Sequence, residues 1–389
     1  MRIAWLSDPP MLTTGFGTTT RLLASFLLSE GFFVDCYSLA VNFNLDYSYD
    51  GMSIHVKPVL NHEKELDDYD VVIGTWNPEY VSQASAYYDA VWKGIHPKRK
   101  IGYFVHETRH MPRQAGPVFY EYDGSYDLVF TTPAQDIWGH HEDYPESVHF
   151  IPHPVDLRAF RAHRHHHNDW VTAVMTNDNP RKRWDLLVMA LPKIRADRFR
   201  FVVSSPVGAF RIPEMLDAVA PVNDEEKPEV RIGPEDDMPA LYASTSVLVL
   251  PTTGEAFSYP VAEALAGGAS VVATDLPEFR ELYGDAVTYI PARDWLMPDG
   301  SIQRWPDPDG IAPLVNERLE KPDPHPEAVL RYDVKKVGRL WADLISDEKS
   351  RVQERGRLRP LRFVRHVLGD PRVRLFPLGL LAHPERAYP

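Results

Sequence analysis

The chain has 389 residues, more than a single hydrophobic core usually organises, so two domains are expected. Its 55 acidic and 42 basic residues give a formal net charge of −13, which argues against a generic nucleic-acid-binding protein without excluding a local basic face. The single cysteine, Cys36, excludes an intrachain disulfide and a zinc site built from several thiolates.

The N-terminus carries no targeting signal that we can identify. The first ten residues, MRIAWLSDPP, contain too short an apolar run before Pro9 to form a signal peptide. No apolar segment in the sequence reaches the length needed to span a membrane. These features predict a soluble, cytoplasmic protein.

A strand–helix–strand unit is predicted at the start of the chain. Residues 2–7 form an apolar strand, apolar side chains recur at helical spacing over 22–27, and residues 33–38 resume as a strand. Gly15 and Gly17 lie at the first turn of this unit, where they would let the backbone approach a ligand closely. A tight turn alone explains these two glycines equally well.

Further strands are predicted in the first half of the chain, at residues 54–56, 71–74, 100–105, 127–132 and 148–152. His106 follows the third of these strands. A histidine at the carboxyl end of a buried strand points into the crevice where open α/β sheets bind ligands, so His106 is a candidate to hydrogen-bond a ligand hydroxyl. Alternatively, its imidazole is satisfied within the wall between two domains.

The polar stretch 161–169 predicts a linker, after which residues 171–175 open a second domain as a strand. A cationic turn follows and contains Arg181, Lys182 and Arg183. Fixed positive charge between a strand and a helix suits a diphosphate leaving group, because it stabilises the oxygen charge that develops as a bond to phosphate breaks. A solvent-facing basic loop is the alternative interpretation.

The stretch richest in functional candidates follows a predicted buried strand at 247–251. A polar turn leads into a helix with Pro260 in its first turn and Gly267 at its end. Glu255 lies in the turn and Glu263 about one turn into the helix. Both carboxylates could face the crevice and accept sugar or ribose hydroxyls, while backbone N–H groups of the turn hold phosphate or sugar oxygens. Alternatively, Glu255 is a turn residue and Glu263 an acid favoured by the helix dipole.

The run GEAFSYPVAEALAGG, residues 254–268, resembles the E-x7-E signature of retaining nucleotide-sugar glycosyltransferases of family 4. That family has the GT-B fold, so the resemblance implies an α/β chain with two Rossmann-like domains facing each other across a cleft. We place an N-terminal acceptor domain at 1–156 and a C-terminal donor domain at 157–345. A basic C-terminal tail, 346–389, is expected to return to the N-terminal domain as a helical segment and to pack on its surface.

The resemblance also implies roles for individual residues. The candidate catalytic residues are Glu255, Lys182, Arg181 and His106. The candidate donor-binding residues are Glu263, Phe257, Ser258, Gly15, Gly17, Asn177 and Ile232. In this interpretation Glu263 accepts the ribose hydroxyls, Glu255 orients the sugar, and the amides of Phe257 and Ser258 lie near sugar or phosphate oxygens. Backbone atoms around Ile232 would contact the base.

The sequence departs from the family pattern at two places. Lys182 matches the lysine that binds the diphosphate, but the arginine usually found five or six residues earlier is replaced by Thr176 or Asn177. Either Arg181 or Arg183 therefore supplies part of the charge, or the donor binds more weakly. The family's N-G-V-D run reads H-P-V-D at residues 153–156.

The remaining sequence has fewer signals. Residues 292–328 are rich in Pro and Asp and predict an inserted loop, followed by a helix at 334–345. Residues 349–374 are basic. They are expected to form a helix packed on the N-terminal domain; contact with an acceptor or an anionic surface, including lipid or nucleic acid, is the alternative.

The expected reaction is transfer of a sugar from a nucleotide diphosphate sugar to an acceptor hydroxyl, with retention at the anomeric carbon. The resemblance implies same-face attack with a donor phosphate oxygen taking the acceptor proton, so no protein nucleophile is expected. No cofactor is expected either, and no metal, since no D-x-D element stands where a metal would bridge the diphosphate. A GT-B epimerase or hydrolase and a catalytically degenerate nucleotide-sugar-binding protein are the alternatives. The acceptor is left open between a sugar, a lipid, a protein, a small molecule and a modified nucleic-acid base.

Overall fold

The structure is a computed structural model that describes residues 1–77, 83–105, 107, 125–133, 147–163, 170–175, 180–203, 229–233, 235–297, 301–347 and 374–375. Two large sheets organise these residues, one from each half of the chain. Each sheet is covered by helices on both faces, because alternate residues of its buried strands point to opposite sides.

The first sheet has the strand order β3-β4-β2-β1-β5-β6-β7-β8. Its strands are β1 Arg2–Leu6, β2 Phe33–Ser38, β3 Leu45–Tyr49, β4 Met52–Pro58, β5 Val71–Gly74, β6 Arg99–Tyr103, β7 Asp127–Phe130 and β8 Val148–Phe150. All neighbours run parallel except β3, which pairs antiparallel with β4 at the edge. The strand order reverses at β1, which pairs with both β2 and β5, and such a point is where α/β sheets bind ligands.

Two helices of this half show how its core is divided. Helix α1, Gly15–Ser29, packs with Ile3 and Trp5 on one face of β1, and helix α2, Gln83–Gly94, packs with Ala4 and Leu6 on the other. The Thr14 hydroxyl caps α1 by accepting a hydrogen bond from the Gly17 amide at 3.0 Å. A Cβ at position 17 would lie 2.5 Å from the Leu12 carbonyl oxygen, so the turn requires glycine there for steric reasons.

The second sheet is parallel throughout, with the order β11-β10-β9-β12-β13-β14. Its strands are β9 Trp170–Met175, β10 Arg198–Val203, β11 Glu229–Gly233, β12 Thr245–Leu250, β13 Ser270–Thr274 and β14 Thr288–Ile290. The order reverses between β9 and β12. The cationic turn follows β9 and the Glu255 turn follows β12, so the topology brings both turns to one crevice.

The helices of the second half are α3 Leu157–Arg161, α4 Trp184–Ala190, α5 Met238–Ala243, α6 Tyr259–Ala266, α7 Pro277–Tyr283, α8 Pro308–Glu320 and α9 Val334–Ser346. Leu248 and Leu250 of β12 pack in the core on the α6 side, whereas Val247 and Val249 pack in the core on the α4 side. This strand is buried at every position, which explains its continuous apolar sequence.

The prediction of an inserted loop at 292–328 is wrong. Strands β15, Ala292–Leu296, and β16, Ile302–Pro306, form an antiparallel hairpin, and α8 follows directly. Two of the prolines misled the prediction because they lie at element boundaries, while Pro313 lies inside α8. Pro306 ends a strand, and Pro308 opens α8, where its missing N–H costs nothing. Asp307 caps α8 by accepting a hydrogen bond from the Asp309 amide at 3.1 Å.

Helix α9 returns to the first sheet. Trp341 packs against Trp5 and Tyr103, with ring centroids 5.5 Å and 4.9 Å apart, and the Arg99 guanidinium donates to the Leu344 carbonyl at 2.6 Å. The predicted boundary after residue 345 assigned this helix to the donor domain, but its apolar face completes the core of the first half. Its apolar spacing resembles that of any surface helix, so the sequence does not indicate which sheet it covers.

Most of the predicted basic tail lies outside the described residues. Strand β17, Arg374–Leu375, pairs parallel with β15 of the hairpin. In the part of the chain that the structure describes, no helix combines the length and apolar character that crossing a bilayer requires.

The two passages of the chain between the halves lie side by side. The Val155 amide donates to the Tyr332 carbonyl at 2.7 Å, and the Val334 amide donates back to the Val155 carbonyl at 3.1 Å. Residue 155 adjoins the predicted end of the first domain. Chain crossings between two sheets are where hinge motion is absorbed, so this pair of crossings is the candidate hinge between the two halves.

Candidate functional site

The carboxyl ends of the two sheets face each other and are joined by polar contacts. The Thr131 hydroxyl, just beyond β7, donates to the Ala256 carbonyl at 2.7 Å. The Thr19 and Tyr259 hydroxyls, at the N-terminal ends of α1 and α6, lie 2.8 Å apart. The turn between β12 and α6 is therefore in contact with the first sheet.

This turn is held in an unusual backbone conformation. Ser258 has φ 68°, in the left-handed region that non-glycine residues rarely adopt. The Tyr283 hydroxyl fixes the turn by donating to the Phe257 carbonyl at 2.6 Å. The Phe257 ring is buried against Tyr332, with centroids 5.1 Å apart, so the predicted contact of Phe257 with a ligand is restricted to its backbone. As predicted, α6 starts here with Pro260 in its first turn.

The cationic turn is a 3₁₀ turn, Pro180–Lys182, and it lies against the Glu255 turn. Lys182 is only 9% exposed, so the alternative interpretation of a solvent-facing basic loop is wrong for this residue. The backbone explains the burial: the Thr253 amide donates to the Arg181 carbonyl at 2.8 Å and ties the two turns together. Arg183 ends the turn with φ 45°, which directs the chain into α4.

The two turns meet in a cluster of charged side chains that we call the ion cluster, formed by Glu107, Arg181, Lys182 and Glu255. Arg181 Nη1 lies 2.9 Å from Glu255 Oε1, and Arg181 Nη2 lies 2.7 Å from Glu107 Oε1. Lys182 Nζ forms an ion pair with the same Glu255 oxygen. Arg181 also donates to the Gly254 carbonyl. The ion cluster thus includes one carboxylate from each half of the chain.

Glu255 is ionised within this cluster. Burial alone would raise the pKa of its carboxyl group, but the positive charges of Lys182 and Arg181 outweigh burial and hold the pKa below its ordinary value. The side chain is almost fully enclosed, so its charge is balanced by these cations rather than by solvent. Arrangements of this kind, with strongly perturbed and closely paired groups in a cleft, are characteristic of functional sites.

The β15–β16 hairpin braces both turns from the outside. The Arg304 amide donates to the Thr253 carbonyl at 2.9 Å, and the Thr253 hydroxyl donates to Gln303 at 3.1 Å. The Arg183 guanidinium lies 4.2 Å above the Trp305 ring and pairs with Asp185 at 2.8 Å. A hairpin predicted to be a loop therefore holds the strained residue that ends the cationic turn.

Trp305 and Arg183 are expected to stabilise the fold jointly. In a double-mutant cycle of Trp305→Leu and Arg183→Gln, measured by chemical unfolding, we expect a coupling energy of about 1 kcal/mol. The pair Trp92→Leu and Arg183→Gln serves as the control, since Trp92 is buried in the core of the first half of the chain. Strictly additive effects for Trp305 and Arg183 would show that the ring does not hold the guanidinium.

Glu263 lies in the second turn of α6, beside Tyr242 and on the side that faces Arg21 of α1. Burial of its carboxyl group raises its pKa to about 8, although the Tyr242 hydroxyl and the Arg21 guanidinium both act to lower it. The carboxyl is therefore largely protonated near neutral pH. A protonated carboxyl can both donate and accept a hydrogen bond, as a pair of vicinal hydroxyls requires.

The raised pKa predicts a pH-dependent effect of Glu263→Gln on stability. The unfolded chain ionises this group above a pH of about 4.3, whereas the folded protein keeps its proton up to about pH 8. Wild type thus loses stability relative to the glutamine variant as pH rises between these values, by about 5 kcal/mol in total, since each pKa unit corresponds to about 1.4 kcal/mol. Thermal unfolding from pH 5 to 9 measures this difference. A flat profile for Glu263→Gln would contradict the prediction.

The sequence interpretation missed the role of His153, which it recorded only as a departure from the family pattern. The imidazole is 5% exposed and stacks on Tyr259 with an interplanar angle of 12°. Its Nδ1 lies 2.7 Å from the Tyr103 hydroxyl and 3.2 Å from the Thr19 hydroxyl. Burial lowers the pKa of His153 to about 3, so the ring is neutral. His153 joins both halves of the chain behind the Glu255 turn. The only sequence signal for this role was the replacement of the family's N-G by His153 and Pro154.

Of the other predicted site residues, some lie in the described part of the chain and some lie outside it. Gly15 faces the Tyr259 ring, 3.8 Å from where a Cβ would lie, so no close backbone approach requires a glycine there. Ile232 of β11 is partly buried at the edge of the second sheet. His106 and Asn177 lie outside the described residues. Among the residues that the structure describes, no three His, Cys, Asp or Glu side chains are grouped to hold a metal ion.

Comparison with known proteins shows that part of the second half of the chain is similar to a domain family. Residues 170–305, which contain both turns and the hairpin, match the family described as "Glycosyl transferases group 1". The chain is also similar to an MMP alpha-(1->4)-mannosyltransferase of Mycolicibacterium hassiacum, with 26% identity over 201 residues. That match covers 50% of this chain and 45% of the relative, so it spans less than half the length of that protein.

Solved structures match over most of the chain. Anabaena Alr3699/HepE in complex with UDP-glucose aligns with a TM-score of 0.64 and 13% identity, covering 89% of this chain and 99% of that one. An alpha-glucosyltransferase in complex with UDP and a 13-mer DNA containing a HMU base aligns with a TM-score of 0.57 and 13% identity, covering 89% and 100%. At such identities the likeness shows the fold alone. The fold prediction is confirmed: the protein has the α/β GT-B fold with two Rossmann-like sheets.

Proposed function

We propose that this protein is a retaining, metal-independent glycosyltransferase that moves a hexosyl or pentosyl group from a nucleotide diphosphate sugar to an acceptor hydroxyl. The observation that carries the proposal is the ion cluster at the point where the strand order of the second sheet reverses. Three of its four members, Arg181, Lys182 and Glu255, lie within the residues that match the group 1 glycosyltransferases, and the cluster faces the cleft between two Rossmann-like sheets.

Lys182 and Arg181 are proposed to bind the diphosphate and to stabilise the charge that develops on it as the glycosidic bond breaks. Both are held in place before any ligand arrives, Arg181 by the Gly254 carbonyl and by Glu255, and Lys182 by Glu255. Cations fixed in a buried site stabilise developing charge more effectively than mobile ones, because they need not reorganise during the reaction. Arg181 then supplies the charge that the family's upstream arginine would provide.

Glu255 and Glu263 are proposed to bind the two sugar rings of the donor. The ionised Glu255 carboxylate accepts hydrogen bonds from hydroxyls of the transferred sugar, and Glu263 binds the ribose hydroxyls. The different pKa directions of the two groups support this division, because one carboxyl stays charged beside the diphosphate while the other is neutral and can also donate. The Phe257 and Ser258 amides complete the proposed donor site.

Retention and metal independence are proposed together. Same-face attack with a donor phosphate oxygen taking the acceptor proton requires no nucleophile from the protein. Two buried cations beside the diphosphate provide the positive charge that a divalent ion provides in other enzymes. Product anomeric configuration, measured by NMR, and activity in EDTA test these two points.

A catalytically degenerate donor-binding protein is the second candidate. The observation that favours it is the neutralisation of both cations by carboxylates within the ion cluster, which would weaken diphosphate binding. A GT-B hydrolase or epimerase is distinguished by its products, because it would consume donor without any acceptor. The acceptor stays open between a sugar, a lipid, a protein, a small molecule and a modified nucleic-acid base. Contact of the basic tail with an anionic surface is a separate proposal.

A thermal-unfolding panel of UDP, GDP and ADP sugars and the free diphosphates, in EDTA, tests the proposed function. A ligand that binds only the folded protein stabilises it by about 2.7 kcal/mol at 100 times its dissociation constant, which raises the melting temperature measurably. We expect stabilisation by one nucleotide family. Binding with turnover in an acceptor screen supports the transferase, binding without turnover supports the degenerate protein, and no binding contradicts both.

A further inference from the structure

Glu107 is the member of the ion cluster that no sequence pattern singled out. It follows β6 of the first sheet by four residues, and its Oε1 lies 2.7 Å from Arg181 Nη2 of the second half of the chain. Asn77, beyond the neighbouring strand β5, donates to its other oxygen at 3.5 Å. The side chains of Glu107 and Arg181 are 19% and 7% exposed, so solvent screens their interaction only weakly. Glu107 therefore joins the two halves of the chain by a largely buried ion pair.

The charges of the described side chains in the cluster cancel. Arg181 and Lys182 contribute two positive charges, and Glu107 and Glu255 contribute two negative charges. The adjacent Arg183 is already paired with Asp185. If the charge of Glu107 is removed, the same cluster has one net positive charge. The cluster then attracts a diphosphate anion electrostatically, whereas the wild-type cluster is electrically neutral.

The two carboxylates are attached differently to the cations. Glu255 belongs to a turn bonded to the cationic turn itself, since the Thr253 amide and the Thr252 hydroxyl both donate to the Arg181 carbonyl, at 2.8 Å and 3.2 Å. Separating Glu255 from Arg181 would require breaking this backbone contact. Glu107 belongs to the other sheet, so a rigid-body opening of the cleft near residue 155 separates it from Arg181 while the hydrogen bonds between the two turns stay intact. The same opening also breaks the hydrogen bond from the Thr131 hydroxyl to the Ala256 carbonyl.

We propose that Glu107 competes with the donor's diphosphate for Arg181 and so sets donor affinity, coupling it to the opening of the cleft. This inference rests on the proposed function, because it assumes that the ion cluster receives the diphosphate. It makes Glu107 a positioning residue: its carboxylate acts on the substrate only through Arg181. Donor binding displaces Glu107, and departure of the diphosphate restores the ion pair across the cleft.

The test is the affinity of the Glu107→Gln protein for UDP, GDP and ADP, measured by calorimetry in EDTA. Glutamine keeps the size and a hydrogen-bond acceptor but removes the charge. We expect the diphosphate that binds wild type to bind the variant about tenfold more tightly, with a steeper loss of affinity as salt increases. Glu65→Gln, which removes an ion-paired carboxylate elsewhere in the first half, is the matched control and should leave the affinity unchanged.

Two further variants separate competition from a merely structural role. Glu107→Asp shortens the side chain by one methylene and should give an intermediate gain, which also provides a result if the glutamine variant folds poorly. In the background of Arg181→Gln the gain from Glu107→Gln should disappear, since the two residues act as one pair. Equal or weaker binding by Glu107→Gln, while wild type binds, overturns this inference alone. If no diphosphate binds wild type or variant, the proposed function fails and this inference fails with it.

Discussion

Replacement of Lys182 by alanine is expected to lower turnover by about 10²- to 10³-fold, as the loss of one fixed hydrogen-bond donor at a developing anion does in other enzymes. Lys182 is buried and paired with Glu255, so the variant also loses stability. That loss should be limited to about 1–3 kcal/mol, because Arg181 still pairs with Glu255 at 2.9 Å. Steady-state kinetics with the donor found in the binding panel, and chemical unfolding of the same protein, measure the two effects.

Two comparisons make the Lys182 result interpretable. Lys98→Ala removes a lysine that is also ion-paired, to Asp70 at 2.6 Å, but is 80% exposed, and it should alter neither turnover nor stability appreciably. Lys182→Arg keeps the charge and should retain more activity than alanine. Full turnover in a folded Lys182→Ala protein would remove Lys182 from the diphosphate site and would leave its ion pair as a stabilising contact only.

Glu255→Gln is expected to separate binding from turnover. The substitution removes one negative charge beside two cations, so the affinity for a nucleoside diphosphate should stay the same or increase. Turnover should fall by about 100-fold or more, because the transferred sugar loses the carboxylate that orients it. If the assignment is right, calorimetry with the free diphosphate shows unchanged or tighter binding, whereas kinetics with the complete donor show lower turnover.

The stability of the Glu255→Gln protein provides an internal check. The pKa of Glu255 is below its ordinary value in the folded protein, so its charge stabilises the fold at neutral pH, and that contribution disappears as pH falls through the folded-state pKa. The stability difference between wild type and variant should therefore shrink on acidification. Asp127→Asn, which disturbs the buried Arg99–Asp127 pair of the first sheet, is the control: it should cost stability without lowering turnover. Turnover within a few-fold of wild type would make Glu255 a counter-ion only.

Much of the candidate site could be predicted because it is encoded locally. Strands such as β12 are buried on both faces and appear as continuous apolar runs, and the turns that follow them must lie at the carboxyl edge of a parallel sheet. Glu255 and Lys182 are each placed on such a turn by the sequence, whereas their common place in a donor site rests on the family resemblance. Pro260 likewise predicted the start of α6, because proline is tolerated in the first turn of a helix and rarely within it.

The misses share a different origin. The hairpin at 292–306 was hidden because proline and aspartate favour loops and element boundaries alike, and only the partner strand distinguishes them. The buried state of Lys182 depends on Thr253, more than seventy residues away in the sequence. Helix α9 could cover either sheet by its amphipathic pattern, and Trp341 shows its place only by packing on Trp5.

The sequence by itself determined the fold class, the two crevice turns and the charged residues they carry, because strand burial and turn chemistry depend on neighbouring residues. The tertiary structure alone decided which charges compensate each other. Glu107 and Arg181 are paired by the approach of two separately formed sheets, and His153 lies between Tyr103 and Tyr259 for the same reason. Such pairings depend on distances between distant parts of the chain, and local composition carries no record of them.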